Sequence, residues 1–587
     1  MTTASKAKNK AGTAAEQLTR GFRGVLVFLF GLSGVINILA LTSAFYMLQI
    51  YDRALTSGSI PTLLALSVLA IGLYLFQGLF DVIRSQILVR LGARLDRRVA
   101  PVAHQVAIDM PRFGFSTAEA LERGRDVDTV RGFLGSQGPI ALFDLPWMPV
   151  YLVFVYLLHP WLGGLTLAGA LVLTSLAIAT ELMTRRLAQS THRAIIERNT
   201  VADSNARNAE VLKAMGLTGR AVARFNEKNA RHLSLQTRAN DITGTFGAFS
   251  RVLRMLLQSA LLGLGAYLTI IGELSAGAII ACSVAATRAL APVDLAIGNW
   301  KNVVSARSAW RRLKETVVAL SNAVEPMQMP GPKGSLKVEK ITVAAPGSGR
   351  VLISEVEFEL EAGSALGIIG PSGGGKTTLV RALTGIWPTL RGSVRLDDVE
   401  LSHWREDALC RHMGYLPQDV ALMDATIAEN IARFEPDPDP RAVLAAAQAA
   451  GVHEMIARMP EGYQTPLGAQ GMALSAGQRQ RIGLARALYR DPFLVVMDEP
   501  NSNLDAEGEM ALSAAIKGIA ERGGIAIVVA HRPSALSAVD QVAVVQNGRI
   551  TAFGPKSKIL GPQGRPVEAT PAPANRPEPR VTARVSA

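Results

Sequence analysis

The chain has 587 residues, 49% of them hydrophobic, and a formal net charge of +13 from 61 Lys and Arg against 48 Asp and Glu. That length exceeds one ordinary domain, and the apolar residues gather into long runs in the first half, which points to a membrane protein. Cys282 and Cys410 are the only cysteines, which excludes a disulfide framework or a Cys-rich metal site, and no basic and aromatic interleaving accompanies the charge, so no nucleic-acid partner is expected.

Residues 1–23 are small, polar and basic, with Lys6, Lys8, Lys10, Arg20 and Arg23, and read as a cytoplasmic tail. The apolar run from 25 to about 50 is too long for a cleavable signal and reads as a first membrane span. Runs at 60–83, 139–158, 162–183, 248–271 and 276–300 are also long enough to cross roughly 30 Å of hydrocarbon. An all-α transmembrane domain of six spans is therefore predicted over 24–312. The links at 51–59, 159–161 and 272–275 are tight, whereas 84–138 and 184–247 are long, helix-compatible and rich in Arg and Lys. That bias places both long loops in the cytoplasm, and an even number of spans returns the chain there.

Several spans carry polar groups that would be costly against lipid: Asp81, Asp144, Glu181, Arg288 and Asp294. Asp81 and Glu181 fall at the cytoplasmic ends of their helices. Arg288 and Asp294 lie deeper, and either line a pathway or pair with each other. Asp144 sits in Phe143-Asp144-Leu145-Pro146-Trp147-Met148-Pro149, where two prolines should bend or break the helix. A Pro- and Gly-rich linker (Pro326, Pro330, Gly331, Pro332, Gly334) at 313–335 precedes 336–560, where short β-branched strands alternate with Ala-rich helices in an α/β pattern. Asn547-Gly548 reads as a hairpin turn. The Pro-, Ala- and Arg-rich stretch 561–587 is expected to be disordered.

The α/β half is organised around Gly370, Pro371, Ser372, Gly373, Gly374, Gly375, Lys376 and Thr377, which follow the apolar run 365–369 and precede Thr378. This is a strand, a phosphate-binding loop and a helix. The glycines free backbone N–H groups for the α- and β-phosphates, Lys376 reaches the β/γ oxygens, and the Thr377 hydroxyl can ligate Mg²⁺. The helix dipole adds to the same anion site. Downstream, the apolar run 493–497 ends in Asp498 and Glu499. Asp498 is the candidate to help hold Mg²⁺ and Glu499 to polarise the attacking water. A further run at 525–530 delivers His531 to the same sheet edge, where an imidazole could contact the γ-phosphate or the water.

Together these residues resemble the ATP-binding cassette family. Leu474-Ser475-Ala476-Gly477-Gln478 is similar to its signature motif, Gln418 in Tyr415-Leu416-Pro417-Gln418 to its Q-loop, Ser502-Asn503-Leu504-Asp505 to its D-loop, and His531 to its switch histidine, all in family order. The resemblance implies catalytic roles for Glu499, His531 and Gln418, Mg²⁺ ligation by Thr377, Gln418 and Asp498, and ATP held by residues 370–378 of one subunit and by Ser475, Gly477, Gln478 and Asp505 of a second copy. A homodimer is thus implied. There are two departures: Ala476 stands where a glycine is common, and Val343-Ala344-Ala345-Pro346 lacks the aromatic residue that often stacks on adenine, which leaves Pro346 and aliphatic atoms for that contact.

Six spans followed by one α/β P-loop cassette resembles the exporter architecture of this family. Three stretches are similar to type I secretion permeases: Tyr46-Met47-Leu48-Gln49-Ile50-Tyr51-Asp52-Arg53, residues 143–149, and Asn208-Ala209-Glu210-Val211-Leu212-Lys213-Ala214-Met215-Gly216. By that resemblance the chain would be an inner-membrane ATPase that exports an unfolded protein with an uncleaved C-terminal signal, together with a membrane-fusion adaptor and an outer-membrane channel. The short leading tail leaves no room for a peptidase-type domain, so leader cleavage is not expected. The tips of the long loops, near 111–115 and 208–217, are expected to dock on the cassettes, with Phe113 and Phe115 as apolar anchors. Other readings are a homodimeric exporter of lipids or amphiphiles, a soluble cassette ATPase, and an ATP-gated channel. The membrane runs oppose the second and the presence of Glu499 and His531 opposes the third.

Overall fold

The computed structural model describes residues 21–321, 329–468, 474–530 and 535–560. Two compact units divide the chain, residues 1–111 with 115–323 and residues 112–114 with 324–587.

Among the described residues, the regular structure of the first unit is all helical. Helices α1 (Phe22–Ala40) and α2 (Thr42–Gln49) continue through a π-helical turn at Ile50–Ala54 to form one span. There follow α3 (Ile60–Asp109), α4 (Thr117–Leu134), α5 (Gln137–Asp144), α6 (Met148–Leu158), α7 (Pro160–Arg207), α8 (Thr218–Ile270) and α9 (Ala276–Ser321). Among the described residues, six helical stretches are long and apolar enough to cross a membrane. The starts follow from local chemistry. Ser59 caps α3, its hydroxyl accepting from the Thr62 N–H at 3.3 Å with Pro61 in the first turn, and Ser116 and Glu119 form a reciprocal capping box on α4. Pro146 and Pro149 break the third span, as expected: α5 ends at Asp144 and a 3₁₀ turn, Leu145–Trp147, joins it to α6.

The charged segments read as long loops are mostly continuations of the spans. Helices α3, α7, α8 and α9 have 50, 48, 53 and 46 residues, so each runs roughly 70–80 Å at 1.5 Å per residue, over twice the hydrocarbon thickness. In the apolar part, helices meet through small residues. Ala281, Cys282, Ala285 and Ala286 of α9 pack with Leu162, Leu173, Leu257 and Leu261, and Gly169 lies so close to Leu257 that an added Cβ would come within 2.2 Å of it.

A polar network also ties α1, α3, α5 and α6. The buried Arg84 donates to Asp144 at 2.6 Å and to Ser33 at 3.0 Å and pairs with Asp81, Asn37 donates to the same Asp144 carboxylate at 2.9 Å, and the Tyr151 hydroxyl donates to the Asn37 carbonyl at 2.8 Å. Asp294 takes partners other than Arg288: the Ser250 hydroxyl donates to it at 2.7 Å and Arg254 lies 2.9 Å away.

The second unit holds two sheets. One is antiparallel, in the order β2 (Val351–Glu361), β1 (Ser335–Ala344), β4 (Arg391–Leu396), β5 (Val399–Glu400). The other runs β10 (Arg549–Pro555), β9 (Gln541–Gln546), β3 (Ala365–Ile369), β8 (Ile525–Val529), β7 (Leu494–Asp498), β6 (Met413–Leu416), parallel except for β10. Every residue of β3, β7 and β8 is buried, as continuous apolar runs in a covered parallel sheet require. Asn547 and Gly548, both at positive φ, make the predicted hairpin turn between β9 and β10. Three helices matter for the site: α10 (Lys376–Leu383), α11 (Ala476–Leu488) and α12 (Ala506–Glu521).

Replacing Arg84 by Leu leaves Asp144 without its cation and is expected to cost about 3–5 kcal/mol. The Arg84→Leu/Asp144→Leu double variant should recover most of the loss. Thermal unfolding of the detergent-solubilised protein distinguishes the two outcomes.

Candidate functional site

The parallel sheet brings the functional residues to one edge. Strands β3, β8, β7 and β6 are successive neighbours, so the loop after β3, the acidic pair ending β7 and the glutamine after β6 all leave from their carboxyl ends, where ligands bind in open α/β sheets.

The loop 370–375 has the shape its glycines allow. Gly370, Gly373 and Gly375 have φ of 148°, 77° and 104°, and a Cβ on Gly370 would stand 2.0 Å from the Val545 carbonyl oxygen. Pro371, Ser372 and Gly373 are exposed at its crest. Lys376, Thr377 and Thr378 open α10, and the buried Lys376 ammonium donates to the Gly370 and Pro371 carbonyls, each at 2.9 Å. Burial pushes this lysine below its ordinary range, against the upward pull of Glu499 and Asp498.

Asp498 is buried, with the Thr377 hydroxyl beside its carboxylate and no backbone donor to either oxygen among the described residues. Burial pushes its carboxyl up. A buried carboxylate with so few donors is costly unless a cation completes it. The oxygen donors of Thr377, Gln418 and Asp498 suit Mg²⁺. Glu499 has a left-handed φ of 49° and its N–H donates to the Val529 carbonyl at 3.1 Å. Such backbone strain, on the order of 1 kcal/mol or more, concentrates at functional sites. The Gln418 amide donates to the Glu499 carboxylate at 3.1 Å. His531 lies outside the described residues. Pro346 sits half-buried in the turn after β1.

Ser475 caps α11 in a capping box with Gln478: the Gln478 N–H donates to the Ser475 hydroxyl at 3.2 Å and the Ser475 N–H to the Gln478 side chain at 2.9 Å. Gly477 packs against the backbone of 503, where a Cβ would meet the Asn503 carbonyl at 2.7 Å. Asp505 caps α12, accepting from the Gly508 N–H at 2.9 Å, and pairs with Arg481. Ser475, Gly477, Gln478 and Asp505 line one concavity of about 620 Å³, to which none of 370–378 contributes. The phosphate loop and the segment opening α11 thus line separate surfaces of one chain.

Sequence reasoning missed Gln480 and Arg481. The buried Gln480 amide donates to the Pro500 carbonyl and its oxygen accepts from the Asn503 N–H at 3.2 Å, which fixes the signature helix to the segment after Glu499. The available signal was a glutamine on the face of α11 that also carries Gly483, Leu484 and Ala487.

Six spans carrying a P-loop α/β unit define an ATP-dependent membrane transporter. Residues 25–291 match the family described as ABC transporter transmembrane region and residues 353–502 the one described as ABC transporter. The chain is 49% identical over 562 residues to the type I secretion system ATP-binding protein PrsD of Rhizobium meliloti (strain 1021), covering 96% of each. It is 26% identical to the toxin RTX-I translocation ATP-binding protein of Actinobacillus pleuropneumoniae, over 92% of this chain and 77% of that one. A solved bacterial Atm1-family ABC exporter with ATP bound shares the fold, with TM-score 0.78 at 22% identity over 91% of this chain and 95% of the other. The chain belongs to the ABC transporters and, within them, to the type I secretion ATP-binding proteins. It is a multi-pass inner-membrane protein with an ATP-binding unit.

Because the Asp498 carboxyl is held above its ordinary range, its ionisation opposes folding, and stability is lost as pH rises from the ordinary value through the raised one. Asp498→Asn should therefore raise the Tm of the nucleotide-free protein at neutral pH. It should also abolish the further Tm gain that Mg²⁺ adds to ATP. Scanning fluorimetry with ATP, with and without Mg²⁺, measures both.

Proposed function

We propose that the chain is the ATP-driven translocase of a type I secretion system and exports an unfolded polypeptide bearing an uncleaved C-terminal signal. The observation that carries the reading is the pairing of two separate half-sites, one holding Lys376 and the buried Asp498, the other opened by Ser475, in a chain 49% identical to a type I secretion ATP-binding protein. Two copies placed head to tail complete two sites, so the working unit is a homodimer. A membrane-fusion adaptor and an outer-membrane channel continue the path. Export of lipids or amphiphiles by the same architecture is not favoured, since the named relatives serve secretion and toxin translocation.

In this reading Lys376 leaves its two loop carbonyls for the β/γ-phosphates, and the α10 N-terminus adds its positive end. Thr377, Gln418 and Asp498 would hold Mg²⁺, which when bound neutralises phosphate charge. Glu499 polarises the attacking water, oriented by the Gln418 amide. His531 contacts the γ-phosphate, and the partner subunit's Ser475 and Gly477 cap it from the other side, with Gln478 and Asp505 shaping that face. Export is driven if ATP binds the closed dimer more tightly than the open one. A swing from 1:99 to 99:1 needs about 5.5 kcal/mol of differential binding.

Glu499→Gln should leave ATP binding and cassette pairing intact while turnover falls by orders of magnitude. ATP binding and phosphate release by the purified variant are the measurements, and near-normal release would assign the role elsewhere. Deleting the chain should remove a specific protein from the medium, read by comparing secreted proteins with and without it. An unchanged set would reject protein export.

A further inference from the structure

Arg288 is an unexplained charge in the helical unit. It lies 12 residues into α9 from Ala276, or about 18 Å along the helix axis, near the middle of a hydrocarbon layer of roughly 30 Å. The side chain is exposed and has no hydrogen bond or ion pair among the described residues, and Asp294, the acid nearest in sequence, is occupied by Ser250 and Arg254. An unpaired guanidinium at that depth is strongly disfavoured against lipid.

The open face of α9 is unlike a lipid-facing surface. Arg288, Leu295, Gly298 and Asn302 are exposed on one stripe at helical spacing, and Leu295 is the only large exposed apolar residue described between 276 and 315. Helix α3 is the contrast, exposing Leu64, Val68, Leu75, Phe76, Leu79 and Val82. The opposite side of α9 is committed to packing: Ala286, Leu290, Val293 and Ile297 sit in one buried cluster with Leu257 and Leu261. In a two-fold dimer, this face meeting its own copy would set cation against cation unless water lay between them.

We propose that Arg288 faces a water-filled translocation path and selects for polypeptide segments rich in Asp and Glu side chains. This rests on the protein-export reading above. Arg288 is a specificity-determining residue remote from the nucleotide sites, so basal ATP hydrolysis does not depend on it.

Two arms on the full chain in lipid nanodiscs test the proposal. In a Cys282→Ala/Cys410→Ser background, Arg288→Cys should react with a charged, membrane-impermeant methanethiosulfonate reagent, while Leu75→Cys should stay inert. An inert residue 288, with and without ATP, overturns the aqueous path. In the second arm, an unstructured glutamate-rich peptide should alter ATP hydrolysis at lower concentration than its lysine-rich counterpart, by about fivefold for each close carboxylate contact, and Arg288→Glu should reverse the order with basal hydrolysis unchanged. Equal responses, including none to either peptide, or an order unchanged by Arg288→Glu, overturn the selection. A reactive residue 288 combined with no response to either peptide counts against polypeptide export itself and leaves the water path standing, whereas equal non-zero responses overturn the charge selection alone.

Discussion

The parallel pairing of β3, β8 and β7 is the constraint on which the ATP chemistry depends. Ile368 of β3 is aligned with Val529 of β8, and Val529 with Asp498 of β7, so Gly370, Asp498 and Glu499 leave the sheet at one level. Because all residues of these strands are buried on both faces, a slip in register would drive Asp498 into the core or pull a Val out of it. The apolar runs therefore set where the phosphate loop and its carboxylates meet. The glycines then decide how closely the loop can lie against β9, since Val545 leaves no space for a side chain at Gly370.

The helical unit is held by a different balance. Lipid tails are as apolar as leucine, so burial alone gives little reason for spans to associate, and close contact and hydrogen bonding carry more of the load. Both are present: the small residues of α9 and Gly169 permit close approach, and the Arg84, Asp144, Asn37 and Tyr151 network joins four helices around one carboxylate. Asp144 lies where α5 ends and the chain turns before α6, so the proline break and the polar anchor occupy the same level.

Much of this was legible in the sequence because it rests on local rules. A fully apolar run followed by Gly-rich chain and Lys-Thr has few other uses, and the six spans follow from length and hydropathy alone. The extent of the helices was less legible. Residues 84–109 and 184–207 carry the charges that usually mark loops, yet helix propagation does not require an apolar face once a span has nucleated it. Partners far apart in sequence were not legible at all. Asp294 could be flagged as buried and charged, but its choice of Ser250 and Arg254 over Arg288 depends on how α8 is rotated against α9. Gln480 escaped for a similar reason: its partners are backbone groups of another segment, which leave no mark in side-chain patterns. Which face of α9 stays uncovered likewise emerges only from packing.

The lysine of the phosphate loop has a further consequence. With its ammonium bonded to the Gly370 and Pro371 carbonyls, the loop satisfies its own lysine, and its glycines already hold the positive-φ conformations that only glycine adopts freely. An incoming triphosphate therefore substitutes for ready-made bonds and does not have to order a slack segment, so little of its affinity is lost to conformational entropy. The phosphate loop is thus a preorganised receptor, and releasing and rebinding nucleotide between transport cycles requires no refolding of it.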